Sequence, residues 1–393
     1  MKVKLGKINE IIFFIAYGIY LVFLLLSQSL YYSKFYGYKY NIIKGLIYLL
    51  LMLSLITTKK MKYREFLGVL ILFVLLFILS FNQNVYFNFL VIFPLLYVAR
   101  NIDFLKIGKF TLAISILVFM FIVISSKLGI IDNYIYFSTS GRTRQYLGFR
   151  YSLYPSSLLS NIIMLYFYVK MKEHKIKILD YVMAIAANYV IYSLTRSRLV
   201  YYIDILFLVI IFIFNLINKK KIKKLFIYRL LPFSFIVCTI FSIIIASIYD
   251  NNNSEMKKID DFFEQRISMS HYLIENDMIK PFGMPVEYRG NGLDVYGNQP
   301  TGTYFFIDCM YLNIMNKYGY IIMIILLIGI TQGMRNAYKE ENYLLLIILT
   351  IIAFYGLIDN LKVDLYYNTF WFALIPYLIK KNENKEEIEW RQA

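Results

Sequence analysis

The chain has 393 residues, of which 59% are hydrophobic, and it carries a formal net charge of +17. Apolar runs of this length exclude an ordinary soluble domain, and the short alternating segments of a membrane β-barrel are absent from the sequence. The lysines lie in short clusters between the apolar runs, a pattern that favours a membrane protein with basic cytoplasmic loops over a nucleic-acid-binding protein.

The apolar runs predict an all-α polytopic membrane protein with about twelve spanning helices. The predicted spans cover about 9–29, 41–57, 65–82, 86–99, 108–126, 155–170, 178–194, 199–217, 230–248, 318–333, 343–358 and 365–379. The first span follows Lys2, Lys4 and Lys7 and lacks a small-residue cleavage site. We therefore interpret it as an uncleaved helix rather than a signal peptide.

The distribution of basic residues predicts the orientation of these spans. Most of the 42 Lys and Arg residues lie on the side of the two termini, so both termini are predicted to be cytoplasmic. The loops 127–153 and 249–317 and the turn 195–198 are then predicted to face outward. The predicted organisation is transmembrane helices over 1–248, a long outer loop over 249–317, further helices over 318–380 and a cytoplasmic tail over 381–393.

The loop 249–317 is the longest polar segment between apolar runs. Asn253 or Ser254 is predicted to cap a helix from about 255 to 277, whose apolar face would lie on the membrane or on the helix bundle. A second short amphipathic segment is predicted over 305–315. We therefore expect a long outward loop that contains short amphipathic helices.

Arginines on the predicted outer side run against the positive-inside bias and need an explanation. Arginine binds phosphate through two parallel N–H bonds and stays charged at any physiological pH. Converging arginines could therefore hold a lipid diphosphate and stabilise the charge that builds as it leaves; pairing with lipid head groups or local carboxylates is the alternative. These residues are Arg142, Arg144, Arg150, Arg196, Arg198, Arg266 and Arg289.

Other polar residues in or near the predicted spans are candidates for chemistry. Asp308, with Tyr311 nearby, is predicted to accept a proton from a sugar hydroxyl, to orient an arginine or to cap a helix. His271 is either a base or part of a solvated helix face. Asp204, inside the eighth span, is predicted to pair with Arg198 or another cation. The sequence has no spacing typical of a metal site, so neither a metal nor another cofactor is expected.

Three segments on the predicted outer side carry a resemblance to a known family. They are Arg144-Gln-Tyr-Leu-Gly148-Phe149-Arg-Tyr-Ser-Leu-Tyr-Pro155, Ser193-Leu-Thr-Arg-Ser197-Arg198 and Asp308-Cys-Met-Tyr311-Leu-Asn-Ile-Met-Asn-Lys-Tyr-Gly319. Together they resemble the polysaccharide polymerases of the O-antigen and capsule type (Wzy), which are grouped with the O-antigen ligases. Pro155 lacks the Asn that often follows in relatives. Asp308 stands about where ligases carry a histidine, which favours a polymerase.

The resemblance implies a metal-independent glycosyltransferase with a GT-C-like membrane fold in the bacterial cytoplasmic membrane. Its substrates would be oligosaccharide repeat units on undecaprenyl diphosphate, and a hydroxyl of one unit would attack the anomeric carbon of the growing chain. Arg144, Arg196, Arg198 and Arg266 would bind the diphosphate, and Asp308 or another loop carboxylate would accept the proton. Membrane lipid, a chain-length regulator and a flippase are the expected partners, and nucleic acid is not.

Two other functions stay open on the sequence. A lipid-linked oligosaccharide flippase would also have about twelve spans and recognise diphosphate. Such a transporter is, however, expected to have two similar halves and charges deep in the helix bundle. The sequence has no internal repeat, one long outer loop and few charges inside spans. The second alternative is a ligase-like enzyme that transfers sugars or acyl groups from another lipid donor.

Overall fold

The computed structural model describes residues 2–57, 88–137, 143–217 and 225–379. Across these ranges the chain is mostly helical, with one two-stranded antiparallel sheet. Six helices there are long and apolar enough to cross a membrane, which confirms the predicted class. They are Lys7–Ser27, Phe104–Lys127, Ile178–Thr195, Arg198–Leu216, Ile227–Ile248 and Tyr320–Lys339. The predicted third span, the basic cluster at 219–224 and the tail 381–393 lie outside the described residues.

The chain divides into two compact units. The first unit comprises Met1–Ser197 with Asn291–Thr301, and the second comprises Arg198–Gly290 with Gly302–Ala393. The boundary falls inside the turn 195–198, so Arg196 belongs to the first unit and Arg198 to the second. The long loop 249–317 contributes residues to both units.

The first unit is a set of helices with a short β-hairpin in one of the connecting loops. Its helices include α1 (Lys2–Ser27), α2 (Tyr38–Thr57), α3 (Asn88–Ala99), α4 (Phe104–Lys127), α5 (Leu153–Glu173) and α6 (Ile178–Thr195), each covering most of a predicted span. In its core, the hydroxyls of Tyr17 on α1 and Thr111 on α4 lie 2.9 Å apart and satisfy one another. The strands β1 (Ile135–Phe137) and β2 (Thr143–Gln145) form the hairpin inside the loop 127–153.

The second unit holds the long loop between its membrane helices. Its main helices are α7 (Arg198–Leu216), α8 (Ser234–Ile248), α9 (Ser254–Phe262), α10 (Arg266–Glu275), α11 (Met310–Tyr318), α12 (Tyr320–Lys339), α13 (Tyr343–Tyr355) and α14 (Trp371–Ile379). Nearly every residue of α13 is buried. A helix that is apolar on all sides fits such an interior position, because it needs no polar face.

The helix predicted from about 255 to 277 is wrong in extent, because the structure has two helices there. The predicted cap at Asn253 is confirmed: its side-chain oxygen accepts the amides of Glu255 and Met256 at 3.0 and 3.2 Å. The chain then reverses at Glu264 and Gln265, which both adopt left-handed backbone angles with φ of 56° and 63°. The second predicted segment, 305–315, is helical only from Met310 onwards.

The helix in the eleventh predicted span is shorter than expected. It is α13, and its 13 residues correspond to about 20 Å at roughly 1.5 Å per residue, less than a hydrocarbon core of about 30 Å. The described part of α14, Trp371–Ile379, begins six residues after the predicted start of the last span at 365. Between them, residues 359–370 form an irregular and mostly buried segment with one 3-10 turn, Leu361–Val363.

A close backbone crossing ties the long loop to the junction of α11 and α12. Gly283 and Gly319 both have left-handed φ angles, of 75° and 94°. A Cβ at Gly283 would collide with the carbonyl group of Lys317, and one at Gly319 would collide with that of Pro281. Only glycine permits this approach at both positions.

Candidate functional site

Two of the arginines predicted to bind the diphosphate, Arg198 and Arg266, lie in one network within the second unit, together with Asp308. Arg198 stands at the start of α7, and its Nη2 donates to the carbonyl oxygens of Phe262 at 2.7 Å and Asp261 at 3.4 Å. Those carbonyls form the C-terminal end of α9, where a cation is favourable because it opposes the helix dipole. The Nε of Arg198 also lies 3.6 Å from Oε1 of Glu264.

Arg266, the first residue of α10, has contacts to two carboxylates. Its Nε lies 3.4 Å from Oδ2 of Asp308, and its Nη1 lies 3.7 Å from Oε2 of Glu264. The same Nη1 donates to the carbonyl of Phe263 at 3.0 Å. The side chains of Arg266 and Asp308 are only 10% and 13% exposed, so this pair is far less screened by water than a surface ion pair.

A buried carboxylate, Asp260, stabilises the chain reversal between α9 and α10 that positions Arg266 and Glu264. Its Oδ1 accepts the amides of Ile267 and Ser268 at 2.8 and 3.2 Å, and its Oδ2 accepts the hydroxyl of Tyr249 at 3.3 Å. Its own carbonyl accepts the amide of Gln265 at 2.9 Å. Asp260 therefore satisfies free amides at the start of α10 and ties the left-handed turn to the end of α9.

The structure decides among the local geometries predicted for Asp308. The carboxylate pairs with Arg266, whereas α11 begins after Cys309 without a side-chain cap. The hydroxyl of Tyr304 donates to Oδ2 of Asp308 at 3.4 Å. Burial raises the pKa of Asp308 above its usual value, and the charge of Arg266 opposes that rise. A carboxyl group tuned in this way can hold a proton closer to neutral pH than an exposed aspartate.

The network Arg198, Glu264, Arg266 and Asp308 has no net formal charge when all its members are ionised. Both arginines are already engaged by carboxylates, so the network as built is not an empty cationic pocket. Arg198 and Glu264 are its more exposed members, at 19% and 28%. An incoming anion would therefore compete with Glu264 for the outer arginine first, while Arg266 keeps Asp308 oriented.

A second set of charged residues lies deeper in the same unit and was not singled out as a site from the sequence. Asp204 on α7, Asp359 and Lys362 are 0%, 2% and 1% exposed. Both carboxylates act electrostatically on Lys362. Asp204 was expected to pair with Arg198 or another cation, and in the structure its charge acts on Lys362. A lysine among apolar neighbours within a few residues of Asp359 and Asp364 was the sequence signal available for this cluster.

The other predicted site residues of the second unit have local partners. His271 contacts the carbonyl of Ala246 through Nδ1 at 2.8 Å, which ties α10 to the end of α8. Arg289 is half exposed and lies 3.7 Å from Glu287. Tyr311 has no exposed surface, and its hydroxyl donates to the carbonyl of Ala353 at 2.6 Å. Tyr311 therefore packs in the core, and ligand-binding roles for His271 and Arg289 stay predictions.

The remaining predicted arginines belong to the first unit. Arg144 lies on β2 opposite Tyr136. The guanidinium of Arg150 lies 5.2 Å from the ring centre of Tyr32. Arg196 ends α6 in a left-handed conformation with its side chain exposed, and Arg142 lies outside the described residues. Their predicted roles in substrate binding stay predictions.

No group of three or more His, Cys, Asp or Glu side chains in the described ranges is arranged to hold a metal ion. Comparison with family models, with curated proteins and with solved structures finds no match to this chain. The features that bear on function are therefore the three short segments of the resemblance and the geometry of the second unit.

Proposed function

We propose that this protein is a polysaccharide polymerase of the Wzy type, with about twelve spans and a GT-C-like fold in the bacterial cytoplasmic membrane. It would join repeat units carried on undecaprenyl diphosphate at the outer face. The observation that carries the proposal is the Arg198–Glu264–Arg266–Asp308 network. Through Glu264 and Arg266, this network connects Arg198 of the second resembling segment to Asp308 of the third.

In the proposed reaction, Asp308 accepts the proton of the attacking sugar hydroxyl. The hydroxyl oxygen forms a bond to the anomeric carbon of the growing chain, and the bond from that carbon to the diphosphate oxygen breaks. The electron pair leaves with undecaprenyl diphosphate. Arg266 orients the Asp308 carboxylate and keeps it ionised, which a general base requires before it can accept a proton.

Arg198 is the residue proposed to contact the departing diphosphate. It is more exposed than Arg266, and its carboxylate contact to Glu264 is long, at 3.6 Å. A diphosphate can replace that contact with stronger, charge-assisted bonds from the same guanidinium. Arg144, Arg150, Arg196 and Arg289 are the further candidates for binding the glycan or the diphosphate.

The flippase alternative gains support from one observation. A transporter is expected to carry charges deep in its helix bundle, and Asp204, Asp359 and Lys362 are such charges within the second unit. The two functions give different phenotypes on deletion. Loss of a polymerase leaves single repeat units displayed on the outer face, whereas loss of a flippase leaves no repeat units there.

The proposed site is tested by alanine variants in cells that make the polymer. Arg198→Ala and Arg266→Ala should each abolish long polymer at unchanged membrane protein level, because each removes a cation from the network. Lys258→Ala is the matched control, since this loop lysine is 71% exposed and forms an ion pair with Glu255, which is also exposed. Polymer of normal length in both arginine variants would contradict the assignment.

A purified preparation tests the chemistry directly. Protein in lipid nanodiscs should elongate lipid-linked repeat units in the presence of EDTA, because the proposed steps use only protein side chains. An activity that is lost with EDTA and restored by a divalent cation would exclude this mechanism.

A further inference from the structure

Arg150 in the first unit has no counter-ion among the residues that the structure describes. Its side chain is partly buried, and its Nε is shielded from solvent without a hydrogen-bond partner in the described ranges. The guanidinium lies 5.2 Å from the ring centre of Tyr32. In the second unit, by contrast, carboxylates contact both Arg198 and Arg266. A cation partly withdrawn from water is stabilised by an anion that reaches it.

The backbone of Arg150 is fixed on both sides within the first unit. Its amide donates to the carbonyl of Gln28 at 2.9 Å, and its carbonyl accepts the amide of Leu293 at 2.7 Å. The first bond ties it to the segment 28–36, and the second ties it to the segment 291–301. The side chain of Arg150 therefore starts from a constant position between these two segments.

A connected group of tyrosine rings extends from Arg150 over the same two segments. The ring centres of Tyr32 and Tyr36 are 5.3 Å apart, and those of Tyr36 and Tyr296 are 6.4 Å apart. Tyr36 and Tyr296 are 49% and 71% exposed. An exposed tyrosine offers an apolar ring face and a hydroxyl, which match the C–H face and the hydroxyls of a sugar. Arg150, Tyr32, Tyr36 and Tyr296 are called here the tyrosine–arginine surface.

The turn that presents Tyr296 is held by Asp294. The Oδ1 of Asp294 accepts the amides of Tyr296 and Asn298, each at 2.8 Å, and its Oδ2 accepts the side-chain amide of Asn298 at 3.0 Å. Asp294 is the one acidic residue in the sequence of the segment 291–301. Because the turn uses both of its oxygens, this carboxylate does not neutralise Arg150.

The charges near the tyrosine–arginine surface favour an anionic ligand. The sequence from 28 to 40 contains Lys34 and Lys39 and no carboxylate, and both lysine side chains are exposed. With Arg150, three cations therefore lie on these segments against the single carboxylate of Asp294. Such an excess of positive charge attracts anions and disfavours cationic or strictly neutral partners.

We propose that the tyrosine–arginine surface binds an anionic saccharide, with a carboxylate or phosphate on Arg150 and neighbouring sugar rings on Tyr36 and Tyr296. Arginine binds both anions through two parallel N–H bonds. An aromatic belt at the membrane interface accounts for exposed rings, but it does not account for a fixed arginine without a counter-ion. The binding site stands on this geometry, and only the identity of the saccharide as a repeat unit for polymerisation rests on the proposed function.

Binding of defined oligosaccharides to the purified protein in phosphatidylcholine nanodiscs tests the site. The acidic probes are oligogalacturonate, hyaluronan fragments and phosphomannan fragments, and each is compared with a neutral oligosaccharide of equal length. At least one acidic probe should bind more tightly than its neutral counterpart, and its affinity should fall as salt screens the charges. If no acidic probe binds more tightly than its neutral counterpart, the proposal is wrong.

Variants of Arg150 test the anion contact. Arg150→Gln should weaken binding of the acidic probe by about tenfold or more, because a charge-assisted hydrogen bond is lost, and Arg150→Lys should restore part of it. Both variants keep the backbone bonds, so the melting temperature should not change. Lys127→Gln is the matched control, since this exposed lysine ends α4 in the same unit. Equal losses in Arg150→Gln and Lys127→Gln would show that overall charge, rather than this surface, attracts the probe.

Variants of the rings separate a saccharide from a bare anion. Tyr36→Ala and Tyr296→Ala should each weaken binding of the acidic probe severalfold, whereas Tyr36→Phe and Tyr296→Phe keep the ring and should retain most of the affinity. Unchanged affinity in both alanine variants would overturn the assignment of a saccharide.

A lipid head group is the competing source of the anion. Native mass spectrometry of protein in phosphatidylglycerol nanodiscs measures retained lipid, and equal retention by wild type and Arg150→Gln is expected. Retention that depends on Arg150 would make this a head-group site and contradict the proposal. None of these measurements uses polymer synthesis. Binding as expected in a protein without polymerase activity would reject only the proposed function, and a polymerase without preference for acidic saccharides would reject only this inference.

Discussion

At the scale of single residues, Arg266 has the clearest consequence. Its guanidinium contacts Asp308, Glu264 and the carbonyl of Phe263 at the same time. A planar group with five N–H donors can satisfy three acceptors in different directions, which a lysine ammonium of similar charge does less well. The acidic partner Asp308 is nearly buried, so its protonation depends strongly on this one neighbour.

The pH dependence of polymerisation should reveal the effect of Arg266 on the protonation of Asp308. Arg266→Gln removes the positive charge that favours ionised Asp308 while burial stays, so the pKa of Asp308 rises further. As the pH falls, a general base with a higher pKa becomes protonated, and therefore inactive, at a higher pH. The acidic limb of the kcat/KM profile should therefore move to higher pH. We expect a shift of about one unit or more, equivalent to roughly tenfold lower activity below that limb.

The exposed pair Lys258 and Glu255 supplies the comparison for this profile. Lys258→Gln also removes one positive charge from the loop, but it should leave the acidic limb in place because its contact is exposed to solvent. An equal shift in both variants would mean that the overall charge of the loop, rather than Arg266, controls Asp308.

At the scale of elements, the break between α9 and α10 positions the site. A continuous helix through 263–265 would turn Arg266 away from the residues that it now contacts. Instead, Asp260 accepts the amides of residues seven and eight positions later, and two residues adopt left-handed angles. Left-handed conformations cost free energy for residues other than glycine, so the capping bonds of Asp260 must offset that cost.

Asp260→Ala should therefore destabilise α10 by about 1–2 kcal/mol, the usual effect of losing a capping side chain. Amide hydrogen exchange of Ile267 and Ser268 measures this directly and should accelerate. Asp260→Asn keeps an accepting oxygen and should retain much of the protection. Asp261→Ala is the control, because that neighbouring side chain is exposed; equal acceleration there would show that the cap is not what protects α10.

At the scale of the whole molecule, the proposed function depends on which side of the membrane the long loop faces. Six described helices can cross a membrane, and the distribution of basic residues between them predicts the sidedness. Lys258 lies in the predicted outer loop, and Lys175 lies in the predicted cytoplasmic connection between α5 and α6. Both side chains are exposed.

Cysteine labelling tests this topology. Lys258→Cys should react with a membrane-impermeant maleimide in intact cells, whereas Lys175→Cys should react only after the membrane is permeabilised. The native thiols Cys238 and Cys309 are 2% and 3% exposed, and should contribute little background. The reverse pattern of labelling would place the Arg198 network on the cytoplasmic side and exclude polymerisation at the outer face.

The class of the protein, the positions of most described membrane helices and the cap at Asn253 could all be predicted from local features of the amino-acid chain. Each of these depends on local properties: the length of an apolar run, or an oxygen-bearing side chain just before a helix. The sequence also marked Arg198 and Arg266, because arginines on the predicted outer side run against the positive-inside bias, and Asp308, because it is a carboxylate in the segment just before a predicted span.

Which of these charges come together could be known only from the folded chain. Arg266 and Asp308 are 42 positions apart, Asp204 and Lys362 are 158 apart, and no periodicity in the chain relates such residues. The break at Glu264 and Gln265 was equally hidden, because an aspartate that bonds to amides seven and eight residues later leaves no helical repeat. Charge pairing inside a protein is set by which helices pack together, and helix packing depends on shape and burial across the whole unit.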